Sequence, residues 1–210
     1  MTADEWAAVA LTLRVAAVAT AVSLPFGVAL GYGLARGRVP FAFVVENVVL
    51  LPLVVPPVVT GYALLVLTAG SVAFSWIAAV LASAVVGFPL LVQTARVAFA
   101  RVDRDAEDAA RVDGATRWGA FRRVTLPLAG RGVAAGAVLH FARGLGEFGA
   151  TVVVAGNIPG RTQTLPLLIY TRLNGLGGDA ATLRLAGIAV AISALSLAAY
   201  SLLARRLPDS

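Results

Sequence analysis

The chain has no cysteine, no lysine, a single histidine (His140) and a single methionine, Met1. Without cysteine there is no disulfide and no thiolate metal site. One histidine leaves little from which to build a metal centre or a histidine-dependent triad. Without lysine there is no glycine-rich phosphate loop of the usual kind, so the chain is not expected to hydrolyse ATP by itself. Charge is scarce too: 13% of the 210 residues are charged, against about 25% in a soluble domain. Hydrophobic residues make up 59%, with a mean hydropathy of +0.87. These features predict a single polytopic, all-α membrane domain over residues 1–210, with no catalytic residue, no metal and no cofactor of its own.

What is present lies in long uncharged runs. Residues 15–35 are 21 positions without a charge, enough for one span of about 20 residues. Residues 47–95 are 49 such positions, which suits two spans joined by a turn near Thr68-Ala69-Gly70-Ser71. Five spans are expected, over residues 12–35, 44–67, 74–98, 132–155 and 183–204. Trp6, Leu11 and Leu13 predict a short interfacial segment before the first. Asp4 and Glu5 precede any basic residue, which argues against a secretory signal.

The net charge of +6 is carried by arginine. In a soluble protein this would suggest nucleic acid; here the bias of arginine toward cytoplasmic loops explains it better. Twelve arginines (36, 38, 96, 101, 104, 111, 117, 122, 123, 131, 205 and 206) fall on one side of the expected spans. Four (14, 161, 172 and 184) fall on the other, and Arg143 lies within a span. That places the N-terminus outside and the C-terminus in the cytoplasm.

Residues 101–131 are a charged island between apolar runs, holding 7 of the 17 arginines and 5 of the 11 acids. Two short helices and a turn are predicted. Asp103 or Asp105 caps the first, Ala106, Ala109 and Ala110 give it a small flat face, and Gly114 stands where a left-handed C-terminal cap is needed. Trp118, Phe121 and Val124 form a stripe on the second, and Pro127 suits the first turn of the following span.

Three further places stand out. Leu51-Pro52-Leu53-Val54-Val55-Pro56-Pro57 interrupts the second span, as a broken helix lining a pathway or as a packing kink. Arg143 and Glu147 lie four apart within the fourth span, as pathway groups or as a structural ion pair. Residues 156–166, rich in amides and hydroxyls, are either a docking surface or a solvated turn. His140 reads as hydrogen-bonded packing.

The island resembles the cytoplasmic loop of ABC importer permeases. Asp108-Ala109-Ala110, then Gly114, Val124 and Leu126-Pro127 match the family pattern in residue type and interval, with Asp108 in place of the usual Glu and Glu107 beside it. Phe141 to Thr151, Gly156 to Gly160, Thr164-Leu165-Pro166 and Leu51 to Val59 look like the molybdate permease subfamily. The resemblance covers residues 5–206, and only the short loop between spans two and three departs further. It implies a type I importer permease fold and import of a tetrahedral oxyanion, molybdate first, with sulfate, thiosulfate or tungstate as alternatives. It implies a homodimer, a cytoplasmic ABC ATPase dimer that holds ATP and magnesium, and an external oxyanion-binding protein. The ATPase-coupling residues would be Glu107, Asp108, Ala109, Ala110, Gly114, Leu126 and Pro127. Pro56, Pro57, Arg143, Glu147 and Thr151 would line the pathway. Asn157, Arg161, Thr162 and Thr164 would meet the binding protein. A remote alternative is a membrane-embedded lipid phosphotransferase, since Asp113-Gly114-Ala115-Thr116-Arg117 faintly resembles its motif, but the downstream aspartate pair is lacking.

Overall fold

The computed structural model describes residues 1–175 and 180–205. Arg206 and the C-terminal residue, both used in the charge argument, lie outside the described residues. The first helix, α1, runs over Ala3–Ala35. It takes in Trp6, Leu11 and Leu13, so the separate interfacial segment expected there is absent. The reason is local. The hydroxyl of Thr2 accepts from Glu5 N–H while the Glu5 carboxylate accepts from Thr2 N–H, a reciprocal cap that starts the helix at once.

The second apolar run is two helices, α2 (Ala42–Val54) and α3 (Pro57–Leu67), bent by 115°. Pro52 does not break α2; the break is the Val55-Pro56-Pro57 step. A residue preceding proline is pushed out of the α region, and here two in succession are. Val55 and Pro56 take ψ of 135° and 132°. Pro57 then restarts the helix at a position where a missing N–H costs nothing.

After the turn, α4 spans Trp76–Ala100, capped by Ser75. The charged loop carries α5 (Arg104–Val112) and α6 (Arg117–Ala120). One π-helical turn, Phe121–Thr125, joins α6 to α7 (Leu126–Leu145). The wide turn lies just before Pro127, whose ring would crowd the carbonyl four residues earlier in a regular helix. Arg117–Leu145 is thus one 29-residue helical run, and the loop's second helix continues into the span instead of standing apart. The span expected over 132–155 starts earlier and stops at Leu145, because Gly146, Glu147 and Phe148 leave helical geometry before a short α8 (Gly149–Val154). Then come α9 (Leu165–Leu173) and α10 (Ala180–Arg205). Among the described residues four helices are long and apolar enough to cross a membrane, or five with the bent pair counted as one.

The core is α4 between α1 and α7. Its seams are made of small side chains: Ala16, Ala19, Ala78, Ala79, Ala82 and Ala95 are fully covered, as expected where helices associate by close packing in lipid. His140 of α7 sits in this core with its Nδ1 2.9 Å from Thr20 Oγ1. The Thr20 hydroxyl also lies 2.8 Å from Ala16 O. By contrast α2 buries none of its side chains and α3 buries only Thr60 and Gly61. The bent pair is held mainly by α8: a Cβ at Gly61 would lie 2.6 Å from Ala150 O.

That approach is testable. Gly61→Ala puts a methyl against a backbone carbonyl that no rotamer can move, and should cost about 1–3 kcal/mol. The thermal midpoint in detergent should fall. Gly130→Ala, which meets open space, should leave it unchanged or slightly higher. Equal midpoints for the two variants would refute the close α3–α8 contact.

Candidate functional site

The charged loop is built from its caps inward. Asp103 Oδ1 accepts from Asp105 N–H at 3.0 Å and starts α5. Gly114, at φ +89°, ends it: Gly114 N–H donates to Arg111 O and Ala115 N–H to Ala110 O, a Schellman closure. Thr116 Oγ1 accepts from Gly119 N–H and starts α6.

The two neighbouring acids part company. Glu107 faces inward, accepting from Arg36 Nε at 3.1 Å and from Thr125 Oγ1 at 2.8 Å. The Arg36 guanidinium, 5% exposed, also donates to Val102 O. One carboxylate therefore straps α5 to the end of α1 and to the π turn. Asp108 is 66% exposed and, among the described residues, pairs only with Arg111 of its own helix. The expected flat alanine face is divided as well. Ala106 and Ala110 turn inward with Glu107, whereas Ala109 faces out beside Asp108 and the 87% exposed Val112. Leu126 packs with Tyr32, Phe99 and Phe121, and Pro127 is exposed.

At the other end of α7 a second break meets the first. Glu147 Oε1 accepts from Ala150 N–H at 2.8 Å, satisfying an amide at the start of α8. Its other oxygen lies 3.1 Å from Arg143 Nη1. The two residues do not share one continuous helical face as expected; α7 ends between them and the pair bridges the break. Glu147 is 2% and Arg143 31% exposed at the side chain. A Cβ at Gly149 would come 2.8 Å from Pro57 Cβ, so the start of α8 abuts the start of α3. Pro57, Glu147 and the buried Thr151 are thereby brought to one place, with Pro56 exposed at its edge.

The loop of residues 156–164 is folded on itself. Asn157 donates to Thr171 Oγ1 at 2.8 Å and accepts from Gln163 Nε2 at 2.9 Å. Thr162 is fully buried and accepts from Ile158 N–H. Thr164 is 4% exposed at the start of α9. Both side chains are covered in this chain. Arg161 is exposed and Asn157 half-buried.

Sequence reasoning missed the partners that hold these places. Arg36 was read as a topology charge and is the anchor of Glu107. Glu5, read only against a signal peptide, is a buried carboxylate paired with Arg172 of α9 at 3.5 Å and Arg184 of α10 at 2.8 Å. Thr12 of α1 accepts from Leu165 N–H at 2.7 Å across the bundle. The scarcity of acids was the available signal: each acid in or near a span must find a cation.

Residues 23–208 match the family described as binding-protein-dependent transport system inner membrane component. The chain is 44% identical, over 98% of its length and 96% of the relative's, to the Molybdenum transport system permease protein ModB of Escherichia coli (strain K12). It is 41% identical to the protein of the same name from Haemophilus influenzae, covering 97% of this chain and 95% of that one. Among solved structures, the MetNI methionine ABC transporter in its inward-facing conformations matches with a TM-score of 0.71, over 98% of this chain and 94% of that one. At 20% identity that likeness concerns the fold alone.

The different stations of the two acids should separate by mutation. Glu107→Ala leaves the Arg36 guanidinium buried without its counter-charge, a loss of about 3–5 kcal/mol where burial is complete. Asp108→Ala removes an exposed pair worth at most about 1 kcal/mol. Tryptic cleavage of the loop at Arg104 or Arg111 should accelerate strongly in the first variant and little in the second. Similar rates in both would mean that Glu107 does not hold the loop.

Proposed function

The chain belongs to the inner membrane components of binding-protein-dependent transport systems, and from that premise we propose that it conducts molybdate. Membership makes it a multi-pass cytoplasmic-membrane subunit of an ABC importer, a transport component whose ATPase is a separate chain. The near-full-length identity to molybdenum permeases is the observation that carries the cargo. In this reading two copies form the pathway, and a partner ATPase dimer holds ATP and magnesium. A binding protein delivers the oxyanion from outside, beside Arg161 and Asn157. The N-terminus lies outside and the charged loop in the cytoplasm, as the arginine distribution supports.

The proposed mechanism is mechanical. The outward face of α5, with Asp108, Ala109 and Val112, meets the ATPase; Glu107, Ala110 and Gly114 fix how that face is held. Movement of α5 passes to α1 through Glu107–Arg36. It passes to α7 through the unbroken run from Arg117 to Leu145, about 43 Å of helix at the α-helical rise. That run ends at the Arg143–Glu147 pair, beside the start of α3. Pairing with Glu147 tempers the attraction of Arg143 for a dianion, so that the anion passes and is not retained. Coupling requires the ATPase to bind the two states of the loop with unequal affinity.

In vesicles containing permease, ATPase and binding protein, molybdate should stimulate ATP hydrolysis and be taken up, with sulfate a poor competitor. Stimulation by sulfate and not by molybdate would overturn the cargo.

Gly114→Val places a β-branched residue at positive φ and should cost about 1–3 kcal/mol of local strain. The variant should insert normally but lose ATPase assembly or cargo-stimulated hydrolysis; normal pull-down with normal uptake would remove the loop from its coupling role. Trypsin should cut the loop in inverted vesicles and spare it in right-side-out ones, and the reverse pattern would invert the proposed orientation.

A further inference from the structure

Six arginines are neutralised at short range: Arg36 by Glu107, Arg96 by Glu46, Arg111 by Asp108, Arg143 by Glu147, and Arg172 and Arg184 by Glu5. Arg38 and Arg117 are not among them, and what sets them apart is that they share a groove. Neither has an ion-pair partner among the described residues, and both line one groove of about 500 Å³ that no acid lines. The groove runs between α1 and the helical run that starts with α6. From Pro25 to Tyr32 it follows α1 for about 10 Å. Its deep walls are apolar, with Val28, Phe121 and Leu126. At the loop end stand Arg38, donating to Tyr32 Oη at 3.0 Å, and Arg117. Because α1 and α7 run in opposite senses, the residue after one and the residue at the head of the other reach the same level. Trp118 stacks on Phe121 there, 67% exposed, where an indole suits the membrane–water boundary.

We propose that this groove binds an anionic phospholipid, its phosphate between Arg38 and Arg117 and one acyl chain along α1. The charge complementarity selects the occupant. A long apolar wall alone would accept any lipid tail or a partner helix. Two uncompensated guanidiniums at the interfacial level, with an indole beside them, match a headgroup bearing net negative charge. The site is separate from the Arg143–Glu147 place at the far end of α7 and does not depend on which oxyanion is carried. A lipid seated there would bridge α1 and α6, beside the Glu107 strap that joins α5 to the end of α1 and to the π turn.

The test is native mass spectrometry of the permease–ATPase complex, released from micelles holding equal amounts of dioleoyl phosphatidylglycerol and dioleoyl phosphatidylcholine. Two arginines at a membrane surface favour the anionic lipid by about fivefold or more, so phosphatidylglycerol adducts should dominate by at least that ratio. The preference should vanish in the Arg38→Gln, Arg117→Gln double variant, whose assembly the mass of the complex itself reports. It should persist in Arg101→Gln, an exposed arginine on the same side outside the groove. Equal retention of both lipids overturns the proposal. So does retention of neither because a partner chain covers the groove, a preference unchanged in the double variant, or an equal loss in Arg101→Gln.

Discussion

Hydrocarbon offers no hydrogen bond to a bare amide or carbonyl, and the architecture follows from that constraint. It leaves helices as the way across, and it makes any interruption of a helix costly unless other protein covers it. The chain has two such interruptions in its apolar part, at Val55-Pro56-Pro57 and at Gly146-Glu147-Phe148. They are placed side by side. The start of α8 packs on the start of α3, and Glu147 supplies an acceptor for an α8 amide while its other oxygen is met by Arg143. The two breaks abut at Pro57 and Gly149, and together they form irregular backbone next to a charged pair, in the manner of discontinuous transporter helices.

The same logic governs charge. A carboxylate withdrawn from water needs a cation and further donors to be tolerated. Glu107 has Arg36 and Thr125; Glu5 has Arg172, Arg184 and the Thr2 amide; Glu147 has Arg143 and the Ala150 amide. Each joins elements that are distant in the chain or separated by a break, so the few acids serve as cross-links in a protein without cysteine. The charged loop is stiff in consequence. Glu107 fixes it to α1, while α6 continues through a π turn into α7 with no flexible joint. In the proposed mechanism a push on α5 travels by both of these routes.

Much of this was legible before any coordinates. Uncharged runs of the right length marked the spans, and Asp103, Gly114 and Pro127 marked the ends of the loop helices. These signals are local: a cap, a left-handed turn or a hydrocarbon-length segment is decided by a few consecutive residues. Failures fell where the outcome depended on remote partners. The span expected to begin at 132 begins earlier because a π turn absorbs Pro127, and it ends early because Glu147 finds Arg143 and the α8 amide. Thr162 and Thr164 look like surface groups in a polar turn, yet the loop folds over them.

The sequence by itself determined the all-helical membrane class, the break at Val55-Pro56-Pro57 and the position of the charged loop, because hydropathy, proline and glycine act within a turn or two of where they stand. Only the tertiary structure decided which of two adjacent acids faces outward and which faces the protein. Glu107 and Asp108 are alike in charge and differ by one position, about 100° around α5. That rotation has no meaning until Arg36, 71 residues away, is brought beside one of them by the packing of α1.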